Sequence, residues 1–146
     1  MEEPRILLES PQQEDQDDEP LPRRRSTWGD RFRVAFRGIK LGVRGQSSFF
    51  VHFFCTALVL VAAGVLRCSL TQWCILLGCI GLVLTAELFN SAIETLFHNL
   101  DEETRNRAWP SLDIAAGAVL MESIFAGIIG SLVLLYQFGL FLNLIS

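Results

Sequence analysis

Glu87, Asn90, Ser91 and Glu94 place two carboxylates, an amide and a hydroxyl inside a stretch that otherwise reads as membrane-spanning. Residues 73–86, just upstream, carry no charge. On a helix the four positions fall at i, i+3, i+4 and i+7, so they share one face. Even on lenient insertion scales a carboxylate at mid-bilayer costs about 2.5 kcal/mol or more. Chains keep such groups where they bind an ion, relay protons or carry out chemistry. The plainer role is a polar contact that fastens one helix to another, but a stripe of four polar groups favours the chemical one.

The elements that must position this stripe read as helices in and on a membrane. The chain has 146 residues, 51% of them hydrophobic, and its mean hydropathy is positive. That is too apolar for an ordinary soluble domain of this size and fits a small all-α membrane protein. Three spans are expected, over about residues 49–66, 73–97 and 114–135, with an apolar tail over 138–145. The first run is long enough to cross a bilayer and is interrupted only by His52 and Thr56. Ahead of the spans, residues 28–46 read as an amphipathic surface helix. Its Trp28, Phe32, Phe36 and Ile39 form one face, and Arg31, Arg33, Arg37, Lys40 and Arg44 lie elsewhere. Residues 101–110 read as a polar loop between spans two and three.

Charge is segregated along the chain. Residues 1–20 hold eight acids against Arg5 and read as a disordered acidic tail. This segment lacks the apolar core of a signal peptide. Arg23, Arg24 and Arg25 begin a basic stretch that attracts anionic headgroups. Nucleic-acid binding is a poor account of that stretch, because membrane spans follow immediately. Lys and Arg crowd residues 23–44, Arg67 lies in the first loop, and Arg105 and Arg107 lie in the second. This pattern puts the N-terminus and the second loop in the cytoplasm. Glu94 then sits at the cytoplasmic end of span two, and Asp113 opens span three at the same level. Both face the compartment that holds nucleotide and magnesium. Glu87 lies about 10 Å deeper, where a lipid headgroup reaches it.

The remaining features carry less chemistry. Cys55, Cys68, Cys74 and Cys79 form no Cys-x-x-Cys pair, and neither His52 nor His98 completes a zinc spacing. Small residues in span three, including Gly117, Gly127 and Gly130, allow close helix approach and association between chains. Glu122 faces away from Asp113 within the membrane and is expected to be protonated or paired across a subunit contact. The phosphate-binding and catalytic-loop motifs of soluble kinases are absent.

The run from Ala86 to Glu94, followed by residues 113–120 (Asp-Ile-Ala-Ala-Gly-Ala-Val-Leu), resembles the prokaryotic diacylglycerol kinase family, which includes undecaprenol kinases. The resemblance covers about residues 28–135 and includes Phe36-Arg37-Gly38-Ile39 and Phe49-Phe50-Val51-His52. It implies a surface helix plus three spans, a homotrimer in a bacterial inner membrane, and a composite site at the cytoplasmic interface. By position, Glu87 matches the catalytic base and Glu94 a magnesium ligand. Asn90 matches the polar neighbour lining the nucleotide site, and Asp113 a nucleotide-side residue. Three positions depart from the family pattern. Gln46 stands where a second metal-ligating Glu is usual, Leu112 where a Lys is usual, and His98 where an acid is usual.

The function this implies is transfer of phosphate from ATP, with Mg²⁺, to a membrane lipid alcohol. Diacylglycerol is the first candidate and undecaprenol the second. A diverged member acting as a scaffold is the alternative that Gln46 and Leu112 favour. A small ion-coupled transporter is the third reading, and the apolar outer half of span two, residues 73–84, argues against it.

Overall fold

A computed structural model describes residues 27–44 and 47–143. The acidic tail, the basic tract of residues 23–25, Gln46 and the last residues of the apolar tail lie outside the described residues. The chain folds into α1 (Trp28–Val43), α2 (Ser47–Val65), α3 (Leu70–His98) and α4 (Glu102–Phe141). The last three are each long and apolar enough to cross a membrane.

α1 starts where Thr27 and Asp30 cap each other. The Thr27 hydroxyl accepts from the Asp30 amide, and the Asp30 carboxylate accepts from the Thr27 amide at 3.1 Å. The Thr27 hydroxyl and amide together hold the Asp30 carboxyl below the usual carboxylate range. The aromatic face of α1 meets no protein. Trp28 is 75% exposed and Phe36 70% exposed, as expected of a helix whose apolar side lies on a membrane surface. α1 touches the bundle near its C-terminal end, at Gly42. A Cβ there would collide with Cδ1 of Leu88, so a larger residue would have to displace that side chain for α1 to lie this close to α3.

α3 and α4 form an antiparallel hairpin, joined through Asn99, Leu100 and the cap residue Asp101. Leu76, 1% exposed, packs against the bare backbone of Gly130. At the α1 end of the bundle the rings of Phe97 and Trp109 meet edge to face with centroids 5.5 Å apart. These two contacts fix the register of the hairpin. At the far end, Gln137 donates to the Leu66 carbonyl at 3.0 Å and accepts from the Gln72 amide at 3.0 Å. One side chain thus ties α4 to α3 and to the turn after α2. That turn includes Arg67, which holds the left-handed φ of 56°. The tie is half-buried at the turn end of the bundle.

The expected polar loop of residues 101–110 is helical from Glu102 onward, and α4 runs unbroken for 40 residues. Asp101 caps the helix by accepting from the Thr104 amide at 3.0 Å, a bond that also holds its carboxyl below the usual range. Glu102 and Glu103 complement the helix dipole in the first turn. Arg107 donates to Glu103 at 2.8 Å one turn on. Pro110, which suggests a break in the sequence, is absorbed within the helix. Helix-forming charged residues mimic a loop in composition alone. The surface helix ends at Val43, with Arg44 as its cap. The three spans otherwise bracket the ranges expected from the apolar runs.

Candidate active site

Glu87 is the most deeply buried charged residue among those described, at 2% exposure. Two residues of α2 meet its carboxylate. The Ser48 hydroxyl donates to Oε1, and His52 Nε2 lies 3.9 Å from Oε2. Ser48 and His52 are four residues apart, so one face of α2 presents both to α3. Oε1 is thereby engaged. Oε2 faces an imidazole too distant for a hydrogen bond and is the oxygen left to take a proton. A short polar patch within two apolar helices holds a single carboxylate by its partners, as a base needs.

The rest of the α3 stripe divides by depth and burial. Ser91, 1% exposed, spends its hydroxyl on the Glu87 carbonyl of its own helix at 3.0 Å. Thr95 does the same to the Ser91 carbonyl at 2.8 Å. These hydroxyls are satisfied within α3 and serve the helix. Asn90 is half-buried one turn beyond Glu87. The Glu94 side chain is 38% exposed, with His98 Nε2 3.8 Å from its Oε1. Asp113 is exposed on α4, and the hairpin register sets it level with Ile93, beside Glu94 along the bundle axis. The side chains therefore reach the same layer without joining into one cluster. Among the described residues no three His, Cys, Asp or Glu side chains lie close enough to hold a metal ion. Gln46 lies outside the described residues.

A cavity of about 340 Å³ opens directly beyond this patch, between α2, α3 and α4. His52 is one of its lining residues, and Val59, Ile80, Val83 and Gly127 are among its mostly apolar walls. Ser48 and His52 are the site residues that the polar pattern of α3 does not announce. Their signal is faint but present: two polar residues one turn apart at the start of an otherwise apolar span.

The family described as prokaryotic diacylglycerol kinase matches residues 33–134, which include every described residue of this site. The chain belongs to the prokaryotic diacylglycerol kinase family. Members of this lipid-kinase family similar to it include the diacylglycerol kinase of Synechocystis, 32% identical over 105 residues. That match spans 71% of this chain and 60% of the relative, so this chain accounts for less than two thirds of the Synechocystis protein. The undecaprenol kinase of Bacillus subtilis is also 32% identical, over 104 residues, 71% of this chain and 85% of the relative. No solved structure matches the chain. The diacylglycerol kinase family and the three apolar helices make this a prokaryotic membrane protein.

Proposed function

We propose that this chain transfers the γ-phosphoryl group of ATP to the hydroxyl of a membrane lipid alcohol, with diacylglycerol the first substrate and undecaprenol the alternative. The observation that carries the reading is Glu87, buried among apolar side chains yet met by Ser48 and by His52, which also lines an apolar cavity. A lipid with its chain in the apolar region and its hydroxyl toward Oε2 meets the base at the depth where its headgroup lies. Glu87 accepts the hydroxyl proton as the oxygen attacks phosphorus. Ser48 keeps the carboxylate from rotating away, and the His52 imidazole lies beside its other oxygen.

Phosphoryl transfer needs positioned charges more than covalent help. Asn90, Glu94 and Asp113 supply the polar layer on the nucleotide side, which the charge pattern assigns to the cytoplasm. Magnesium is commonly held by one or two carboxylates together with substrate phosphates. The single half-exposed carboxylate of Glu94 fits an ion that arrives on the nucleotide, where it would neutralise phosphate charge. Gln46, if it reaches the same layer, adds a neutral oxygen. Arg105 and Arg107, on the first turns of α4 about 9–12 Å along the axis from Asp113, are the cations on α4 that can reach toward phosphates in place of the lysine absent at Leu112. The small residues of α4 and the half-buried Glu122 are the features that suit assembly as a homotrimer.

The deciding experiment offers purified protein Mg-ATP with diacylglycerol or undecaprenol in mixed micelles and measures phosphorylated lipid. Absence of product with both alcohols would sink the kinase reading and leave the scaffold. A transporter is disfavoured by the cavity itself, whose lining is mostly apolar.

A further inference from the structure

The Ser123 hydroxyl oxygen is buried and has no hydrogen-bond partner among the described residues. Ser123 sits on α4 in the wall of the cavity that begins at His52. A buried hydroxyl without a partner costs about 1–3 kcal/mol, and the cost is greater where no water can reach. The cavity has room for a ligand, and its other walls are mostly apolar. The register set by Leu76 on Gly130 and Phe97 on Trp109 puts Ser123 beside Val83, one helical turn farther from the α1 end than Glu87. That is about 6 Å along the axis. The site therefore has an acceptor for a hydroxyl proton at one depth and an unused donor a few bonds deeper, with an apolar slot beyond.

We propose that Ser123 is a specificity-determining residue that donates a hydrogen bond to an ester carbonyl of a glyceride substrate, whose chain then occupies the cavity toward Gly127 and Gly130. This deepens the kinase reading and rests on it. A glyceride presents a free hydroxyl with an ester oxygen a few bonds away, whereas a polyprenol has only its hydroxyl and an apolar chain. The unpartnered donor thus fits the first class and is left unpaired by the second. A polyprenol leaves the hydroxyl as unpaired as it is in the empty site, so the preference for a glyceride is the worth of the one hydrogen bond it adds.

The test compares 1,2-diacylglycerol with 1,2-dialkylglycerol, which keeps the hydroxyl and chains but lacks carbonyls, and with a polyprenol. Ser123→Ala is expected to raise KM for the diacyl lipid about fivefold, the size of one neutral hydrogen bond. KM for the dialkyl lipid, the polyprenol and ATP should not move. Ser123→Thr keeps the hydroxyl and should restore the preference. Equal change with diacyl and dialkyl lipids, or none with either, overturns the proposal. A second measurement does not depend on turnover. A diacylglycerol carrying a diazirine a few carbons past the ester is photolysed with wild-type protein without ATP, and the labelled residues are mapped by mass spectrometry. Label on Val59, Ile80 and Gly127 supports the seat, even if the protein phosphorylates no lipid and the kinase reading fails. Label spread over the exposed Phe125, Ile128 and Leu132 instead refutes it.

Discussion

Replacing Glu87 with Gln separates its chemistry from its packing. Gln has nearly the same shape and keeps an oxygen that accepts from Ser48. It loses the charge beside His52, 3.9 Å away, and it no longer takes a proton. General-base catalysis is worth about 10²–10⁴ in rate, so turnover should fall by that factor, about 3–5 kcal/mol in the barrier. Stability should change little. A hydrogen bond to a charged group contributes about 1.5–3 kcal/mol and a neutral one about 0.5–1.5. The loss of about 1 kcal/mol is offset by no longer burying an ion. Glu87→Ala differs, because it strands the Ser48 hydroxyl and opens a void, so about 1–3 kcal/mol of stability should go with it. The assay is lipid phosphorylation in mixed micelles, run beside thermal or denaturant unfolding of the same preparations. Turnover of Glu87→Gln within a few-fold of wild type would remove Glu87 as the base. Unfolding of Glu87→Gln as severe as that of Glu87→Ala would make the carboxylate a structural member instead.

Glu94→Ala should raise the magnesium concentration needed for half-maximal rate and weaken nucleotide binding, and an unchanged magnesium titration would void its metal role. Gly42→Leu should lift α1 from Leu88, an overpacking effect of about 1–3 kcal/mol, seen as faster proteolysis of α1 with α2–α4 intact; undiminished protection would show that α1 does not rest there. Because folding depresses the Asp101 carboxyl, its stabilisation of the α4 start is complete above the unfolded carboxylate value of about 3.9 and is lost as pH falls through the lower folded value. Asp101→Ala should therefore remove pH dependence of unfolding in that acidic window alone, and a difference in slope confined to pH 6–8 would contradict the assignment.

Much of this architecture is legible in the chain because lipid enforces simple rules. Apolar runs of the right length must be helices, and the three spans lie where those runs lie. The aromatics of α1 repeat with helical period, and in the structure the rest of the protein leaves them uncovered. The start of α4 escapes such reading. Residues 101–110 are mostly polar and contain Pro110, so composition points to a loop, while capping by Asp101 and local charge pairs make a helix from Glu102 onward. The site is half legible. Glu87 and Glu94 stand out through charge in an apolar context, and family resemblance assigns them roles. Ser48 and His52 do not stand out, since their importance is a contact across 39 and 35 residues that no local pattern encodes. Ser91 shows the converse: its place on the stripe suggests the site, but its hydroxyl bonds back to its own helix. Ser123 follows Glu122 and draws no notice beside that charge, and only the packing of three helices exposes its unpaired donor.

The unequal lengths of the spans have a consequence of their own. α2, with 19 residues, is about 28 Å long, against about 44 Å for α3 and about 60 Å for α4. The hydrocarbon layer is about 30 Å thick. The two longer helices meet any ordinary bilayer by protruding from it, but α2 has no length to spare. A thicker bilayer pulls the ends of α2 inward, and Ser48 and His52 ride at one of those ends. Their height against Glu87 is thereby set by hydrophobic mismatch, at fractions of a kcal/mol per ångström. The bilayer serves this protein as solvent and as a gauge, and the alignment of Ser48 and His52 with Glu87 is expected to follow membrane thickness.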